Sequence, residues 1–215
     1  MLREDLQALK NTTGSIFFLG ANVFVGLIYG AIMSFQLERA VLLKELSSKW
    51  YGLPAYFVSK NLFEIPLMFI FPLFTLLIVY WGAPYGTLKG DDDTFLKYYL
   101  VLFFVCQTAI GYGYMVSAAC KNQVDSSLLS NVVTLPAIFF GGLFANSKTI
   151  VVGVGWIQYL SPIRFAFEAL LTAEYENTVF FYVIKEFNFT LGYWNCVYGL
   201  IVLSVVTRIF SLWIL

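Results

Sequence analysis

Asp125-Ser-Ser-Leu-Leu-Ser-Asn131-Val-Val-Thr-Leu135-Pro-Ala-Ile138-Phe-Phe-Gly141-Gly142-Leu143-Phe144, followed by Trp156-Ile-Gln-Tyr159-Leu-Ser161-Pro162-Ile-Arg164-Phe-Ala-Phe-Glu168, decides the fold. An apolar helix rising 1.5 Å per residue needs about twenty residues to cross a hydrocarbon core of roughly 30 Å. The first run approaches that length, carries only its leading Asp125 as a charge, and breaks at Gly141-Gly142. The second is aromatic and apolar yet holds Arg164 and Glu168, after early breaks at Gly153 and Gly155. That mixture fits the membrane rim, where amphipathic rings sit among headgroups, better than the bilayer centre.

Composition sets the class. The chain is 60% hydrophobic, 19% aromatic and only 12% charged, with mean hydropathy +0.77, too apolar for a domain whose surface must be largely polar. It reads as an all-α, polytopic, integral membrane protein. Thirteen basic and 13 acidic residues cancel, and no basic block suggests a nucleic-acid partner. Histidine is absent and Cys106, Cys120 and Cys196 form no short-spaced cluster, which argues against a metal site and a disulfide framework. With no carboxylate pair at depth either, no catalytic residue is assigned.

Working outward, apolar runs predict spans at 14–35, 61–80, 95–119, 125–143 and 193–215, with an outer loop at 144–192 that includes the re-entrant segment. Met1 to Asn11 reads as a polar lead-in rather than a signal peptide, so the chain is expected to begin inside a longer protein. Phe18, Asn22 and Val25 fall on one helix face of the first span, and Asn131, Leu135 and Ile138 repeat that spacing in the fourth. Such amides either glue helices together or line a cavity, and both readings stand at this point. The third span carries a small-residue stripe, Gly111, Gly113, Ser117 and Ala118, that permits close helix approach.

Between the first two spans, 38–58 mixes Glu38, Arg39, Lys44, Glu45 and Lys49 with apolar residues at helical spacing. That predicts an amphipathic helix on a membrane surface or a protein partner, ended by Gly52 and Pro54. Lys60 and Glu64 can pair at i, i+4 near the interface, and Arg208 in the last span needs a partner or must snorkel. Arg39, Lys44, Lys49, Lys60 and Lys121 place the connections 36–60 and 120–124 on the cytoplasmic side. Two glycosylation sequons, Asn11-Thr-Thr13 and Asn188-Phe-Thr190, fall on the other side and agree.

These residues resemble the membrane domain of the G subfamily of ABC transporters, the White or breast-cancer-resistance-protein type half-transporters. The resemblance rests on Glu38-Arg39, Lys44-Glu45, Trp50-Tyr51-Gly52, Tyr56-Phe57, Lys60, Glu64-Ile-Pro66, Pro72 and Ile78-Val-Tyr80. It continues through Phe140-Gly-Gly-Leu-Phe144, Asn146, Ile150, Trp156 to Phe165, Glu168-Ala-Leu and Glu174-Tyr175.

It implies a six-helix domain of which five helices are present. It also implies a helix at 38–58 coupled to a nucleotide-binding domain through Lys44, Glu45, Trp50 and Tyr51. Phe18, Asn22, Val25, Asn131, Leu135 and Ile138 would line the cavity of a dimer, with Val25 where some multidrug members place an aromatic. Leu143 and Phe144 would plug the cavity outward. No Gly-x-x-x-x-Gly-Lys-Ser/Thr motif is present, so ATP and Mg are expected on the nucleotide-binding domain and no cofactor on this chain.

The implied function is ATP-driven export of lipids, sterols or other hydrophobic molecules, with a second half-transporter and membrane lipid as partners. A regulatory membrane subunit without transport of its own and a passive channel are the alternatives.

Overall fold

The computed structural model describes residues 2–82, 93–144, 155–175, 183–184, 187 and 189–215. Its elements are α1 (Leu2–Ser47), α2 (Leu53–Gly82), α3 (Asp93–Ala119) and α4 (Gln123–Phe139). A 3-10 turn (Gly155–Leu160), α5 (Pro162–Tyr175) and α6 (Tyr193–Ile214) follow. The domain is all-α, and four of its helices are long and apolar enough to cross a membrane: α1 over Leu9–Ser47, α2 over Leu53–Tyr80, α3 and α6. It is an integral, multi-pass membrane domain. The expected fourth span, 125–143, is a shorter helix: α4 has 17 residues and ends at Phe139.

The centre of the bundle is α3. Of its most apolar stretch 78% is buried, against 11% for α2, so α3 is surrounded by protein while α2 shows most of its Leu, Ile and Phe side chains outward. The small-residue stripe explains why α3 can be central. A Cβ built on Gly113 would sit 2.6 Å from the Ala31 Cβ of α1, and one on Gly111 would collide with Thr207 of α6. Helices lacking side chains at the crossing bring their backbones together and gain dispersion contacts that lipid tails cannot supply.

Pro66 and Pro72 lie inside α2. Pro72 has no N–H for the Met68 carbonyl, and on that turn the Tyr99 hydroxyl donates to the Phe69 carbonyl at 3.1 Å. The neighbouring helix thus supplies a donor to the carbonyl next to the one the proline leaves unpaired.

One segment departs from the sequence reading. The polar interval 38–58 is not a separate helix: residues 38–47 continue α1 without a break, and 53–58 begin α2. From Gln36 to Leu46 the chain has neither Gly nor Pro, and Ala, Leu, Glu, Lys and Arg are good helix formers, so nothing stops the helix there. It stops at 48–52, where Lys49 takes a positive φ of 55° before Gly52 and Pro54.

The segment bearing Arg164 and Glu168 is enclosed by protein. Every residue of α5 is buried, packed against α1, α3 and α6. Its two charged side chains find some of their partners within the protein. The Leu191 backbone N–H donates to the Glu168 carboxylate at 2.6 Å, and the Arg164 guanidinium lies 4.7 Å from the Tyr159 ring centre.

Candidate functional site

The turn between α1 and α2 forms the polar end of the molecule. Tyr51 donates its hydroxyl to the Glu45 carboxylate, and that hydrogen bond holds the Tyr51 hydroxyl above its usual pKa. The Tyr51 and Tyr56 rings stack at 6.3 Å, and Tyr56 donates to Glu38 at 2.8 Å. Lys60 Nζ donates to Glu38 at 2.6 Å and to the Ser34 hydroxyl at 3.3 Å. Glu38 therefore ties α1 to α2, and Tyr51 folds the turn back on Glu45. Lys44 is exposed and Trp50 is 78% exposed, so an unfilled aromatic and a cation project from the same turn.

The sequence expectation at this point holds only in part. Lys60 takes Glu38 from the neighbouring helix as its ion-pair partner, whereas Glu64, expected at i+4, accepts the Tyr114 hydroxyl of α3. Local spacing favours the i, i+4 pair by a few tenths of a kcal/mol, and an antiparallel neighbour offering a carboxylate overrides it. The need for a partner at Arg208 is met: it donates to Asn61 Oδ1 at 2.7 Å and also to the Ser204 hydroxyl and Gln107.

The proposed cavity residues are distributed over two neighbouring places. Phe18 and Asn22 are exposed and line an open groove of about 650 Å³ between α1 and α2, together with Lys10, Ser15, Thr75 and Val79. Asn131 and Leu135 lie exposed on α4, Val25 and Ile138 are half-buried, and Ile138 packs on the core. The link between α1 and α4 is a residue the sequence reading passed over: the Tyr29 hydroxyl donates to Asn131 Oδ1 at 2.5 Å. Extending the series 18, 22, 25 by one more turn reaches Tyr29, which is the signal that could have found it.

Leu143 and Phe144 sit where α4 ends. Gly142 has φ +104°, a conformation L side chains avoid, and a Cβ on Gly141 would meet Ile163 at 2.8 Å and Phe17 at 2.9 Å. The glycine pair therefore does two things: it lets the chain turn and lets it pass against α1 and α5. It delivers Phe144, 64% exposed, edge-on to the Phe17 ring at 5.8 Å, with Leu143 half-buried beside the core. Asn11 is exposed on the first turns of α1, and Asn188 lies outside the described residues.

Four long apolar helices, a buried central one among them, and polar residues gathered at one turn define a polytopic membrane domain. Residues 2–175 match the family model of the ABC-2 type transporter, and the chain belongs to that family. Its relatives include the Protein white of Ceratitis capitata, 30% identical over 169 residues, covering 79% of this chain and 24% of that protein. ABC transporter G family member 14 of Arabidopsis thaliana is 31% identical over 171 residues, 79% of this chain and 25% of that one. A probable ATP-dependent permease of Saccharomyces cerevisiae is 31% identical over 192 residues, 88% of this chain and 17% of the permease. The chain thus spans a quarter or less of the length of these relatives.

Proposed function

We propose that this chain is the membrane-spanning part of an ATP-driven exporter of lipids, sterols or other hydrophobic and amphipathic small molecules. It would work as one half of a dimer, with the nucleotide-binding domains and their ATP and Mg supplied elsewhere. The observation that carries this reading is a pair of amides on uncovered helix faces: Asn22 of α1, in the groove toward α2, and Asn131 of α4, tied to α1 through Tyr29, stand exposed among Phe18 and Leu135. Amides facing hydrocarbon are costly, so a face bearing them belongs against a second half-transporter with a cavity between the two. An apolar substrate would bind there by area burial, with Asn22 and Asn131 as its few polar contacts.

The rest of the site supplies the coupling. The turn bearing Lys44, Glu45, Trp50 and Tyr51 is the surface a nucleotide-binding domain would push, and Tyr51 holds Glu45 ready for it. Leu143 and Phe144 would keep the cavity closed outward until the push parts them, giving alternating access between two states. The test is transport of a fluorescent phospholipid or sterol into inside-out vesicles holding the protein with its nucleotide-binding domains. Accumulation that requires hydrolysable ATP supports the reading. Flux of the same size without nucleotide sinks it in favour of a passive channel.

A further inference from the structure

The geometry points to a binding site for the phosphate of an anionic membrane phospholipid in the cavity between α1 and the α3–α4 turn. The cavity measures about 390 Å³ and is lined by Gln36, Arg39, Ala40, Leu43 and Lys121. Both charged members are cations, and no carboxylate lines it. The carboxylates nearby in sequence are engaged elsewhere, Glu38 by Lys60 and Asp125 by the Asn122 amide at 3.3 Å. Arg39 Nη1 is shielded from solvent and has no hydrogen-bond partner, a state that costs free energy until an acceptor fills it.

The cavity is also held in shape. The Gln36 side-chain amide donates to the carbonyls of Ser117 and Cys120, at 3.0 and 3.3 Å, and to the Ser126 hydroxyl at 2.9 Å. It thereby fixes the turn that carries Lys121 against the helix that carries Arg39.

Depth and surroundings select a lipid rather than a free anion. If α1 enters hydrocarbon near Gly14, about 30 Å of core is used up near residue 34, which puts Arg39 about 7 Å further out, in the headgroup layer. Leu43, 56% exposed, lines the cavity and offers apolar surface for an acyl chain. Basic cavities between helices on the cytoplasmic side recognise anionic headgroups in this way. The assignment rests on reading the α1–α2 and α3–α4 turns as the cytoplasmic end.

The experiment is lipid retention. The protein is placed in nanodiscs of phosphatidylcholine with a minor share of phosphatidylserine or a phosphoinositide, extracted into mild detergent, and weighed by native mass spectrometry. Anionic lipid should stay bound in excess over its share of the bilayer. Arg39→Gln with Lys121→Gln should reduce that retention about twentyfold, and Lys121→Gln alone, at an exposed position, about fivefold. Arg39→Lys should keep most of it. Lys49→Gln, a cation of the other turn, should change nothing, and millimolar inorganic phosphate should not displace the lipid. Retention of phosphatidylcholine equal to that of anionic lipid, equal loss in Lys49→Gln, or displacement by free phosphate overturns the assignment. Retention reads the site whether or not the chain exports anything, so a failure of the export reading leaves this result intact.

Discussion

Gly113→Ala tests the central crossing of the bundle. The added Cβ would lie 2.6 Å from Ala31 Cβ and 3.0 Å from the Ile28 carbonyl oxygen. Carbon atoms in good contact stand about 3.5–4.0 Å apart, so α1 and α3 must separate by roughly 1 Å, and neither obstacle is a side chain that can swing aside. Overpacking of this kind costs about 1–3 kcal/mol, and replacing glycine inside a helix returns up to about 1 kcal/mol. A net loss near 1 kcal/mol corresponds to a melting temperature roughly 2–4 °C lower for a chain of this size. The assay is thermal unfolding in detergent, followed by tryptophan fluorescence or by size-exclusion profiles after heating. Ala31→Gly in the same chain removes the nearer obstacle and should recover more than half of the loss, while the Ile28 carbonyl keeps the recovery incomplete. Gly26→Ala is the control, because nothing lies within 4 Å of the point where its methyl group would stand, and it should cost nothing. The reasoning fails if Gly113→Ala melts like the parent chain or if Gly26→Ala is equally destabilising.

Three further outcomes are expected. Glu45→Ala should leave nucleotide hydrolysis in the assembled transporter within about twofold while transport falls by an order of magnitude, since the turn loses the carboxylate that Tyr51 grips; proportional loss of both rates would refute a coupling role. Leu143→Ala with Phe144→Ala should raise nucleotide-independent leak of substrate from loaded vesicles, and tight vesicles would remove these residues from the outer gate. Arg208→Ala strips Asn61, Gln107 and Ser204 of a shared donor and should destabilise the domain by about 1–3 kcal/mol, read as loss of monodisperse protein after extraction. Normal yield and melting of that variant would show that the cluster contributes little.

What the sequence revealed and what it concealed have separate physical causes. Four of the five expected spans were legible because bilayer thickness sets a minimum apolar length, and Gly111 and Gly113 were legible because small residues in a membrane helix have few uses other than close approach. The Gly141-Gly142 break was visible as composition, although its demand for a positive φ at Gly142 was not. The continuity of α1 was hidden, since a change from apolar to polar residues marks where a helix leaves the membrane but not whether it bends there. The burial of α5 was hidden for a related reason: Glu168 accepts a hydrogen bond from Leu191, 23 residues away, and no local pattern encodes such a partner. Lys60 illustrates the same limit, with Glu38 reached across two helices in place of Glu64 one turn away. Of the proposed cavity, the two faces were readable from periodicity, and Tyr29, which joins them, needed one more turn of the same periodicity.

The unbroken length of α1 has a mechanical consequence. With 46 residues it is a rod of about 69 Å, more than twice the hydrocarbon thickness, and its tightest crossing with α3 is at Ala31. From that fulcrum Ser47 is about 24 Å away on one side and Phe18 about 20 Å on the other. A stiff rod seated there works as a seesaw: displacing the Ser47 end by about 2 Å would swing Phe18 by roughly 1.6 Å in the opposite sense, as spin labels at Leu43 and Phe18 could record. Force applied at the Ser47 end would then reach the Phe18 end through leverage alone, with no hinge along the way to absorb it.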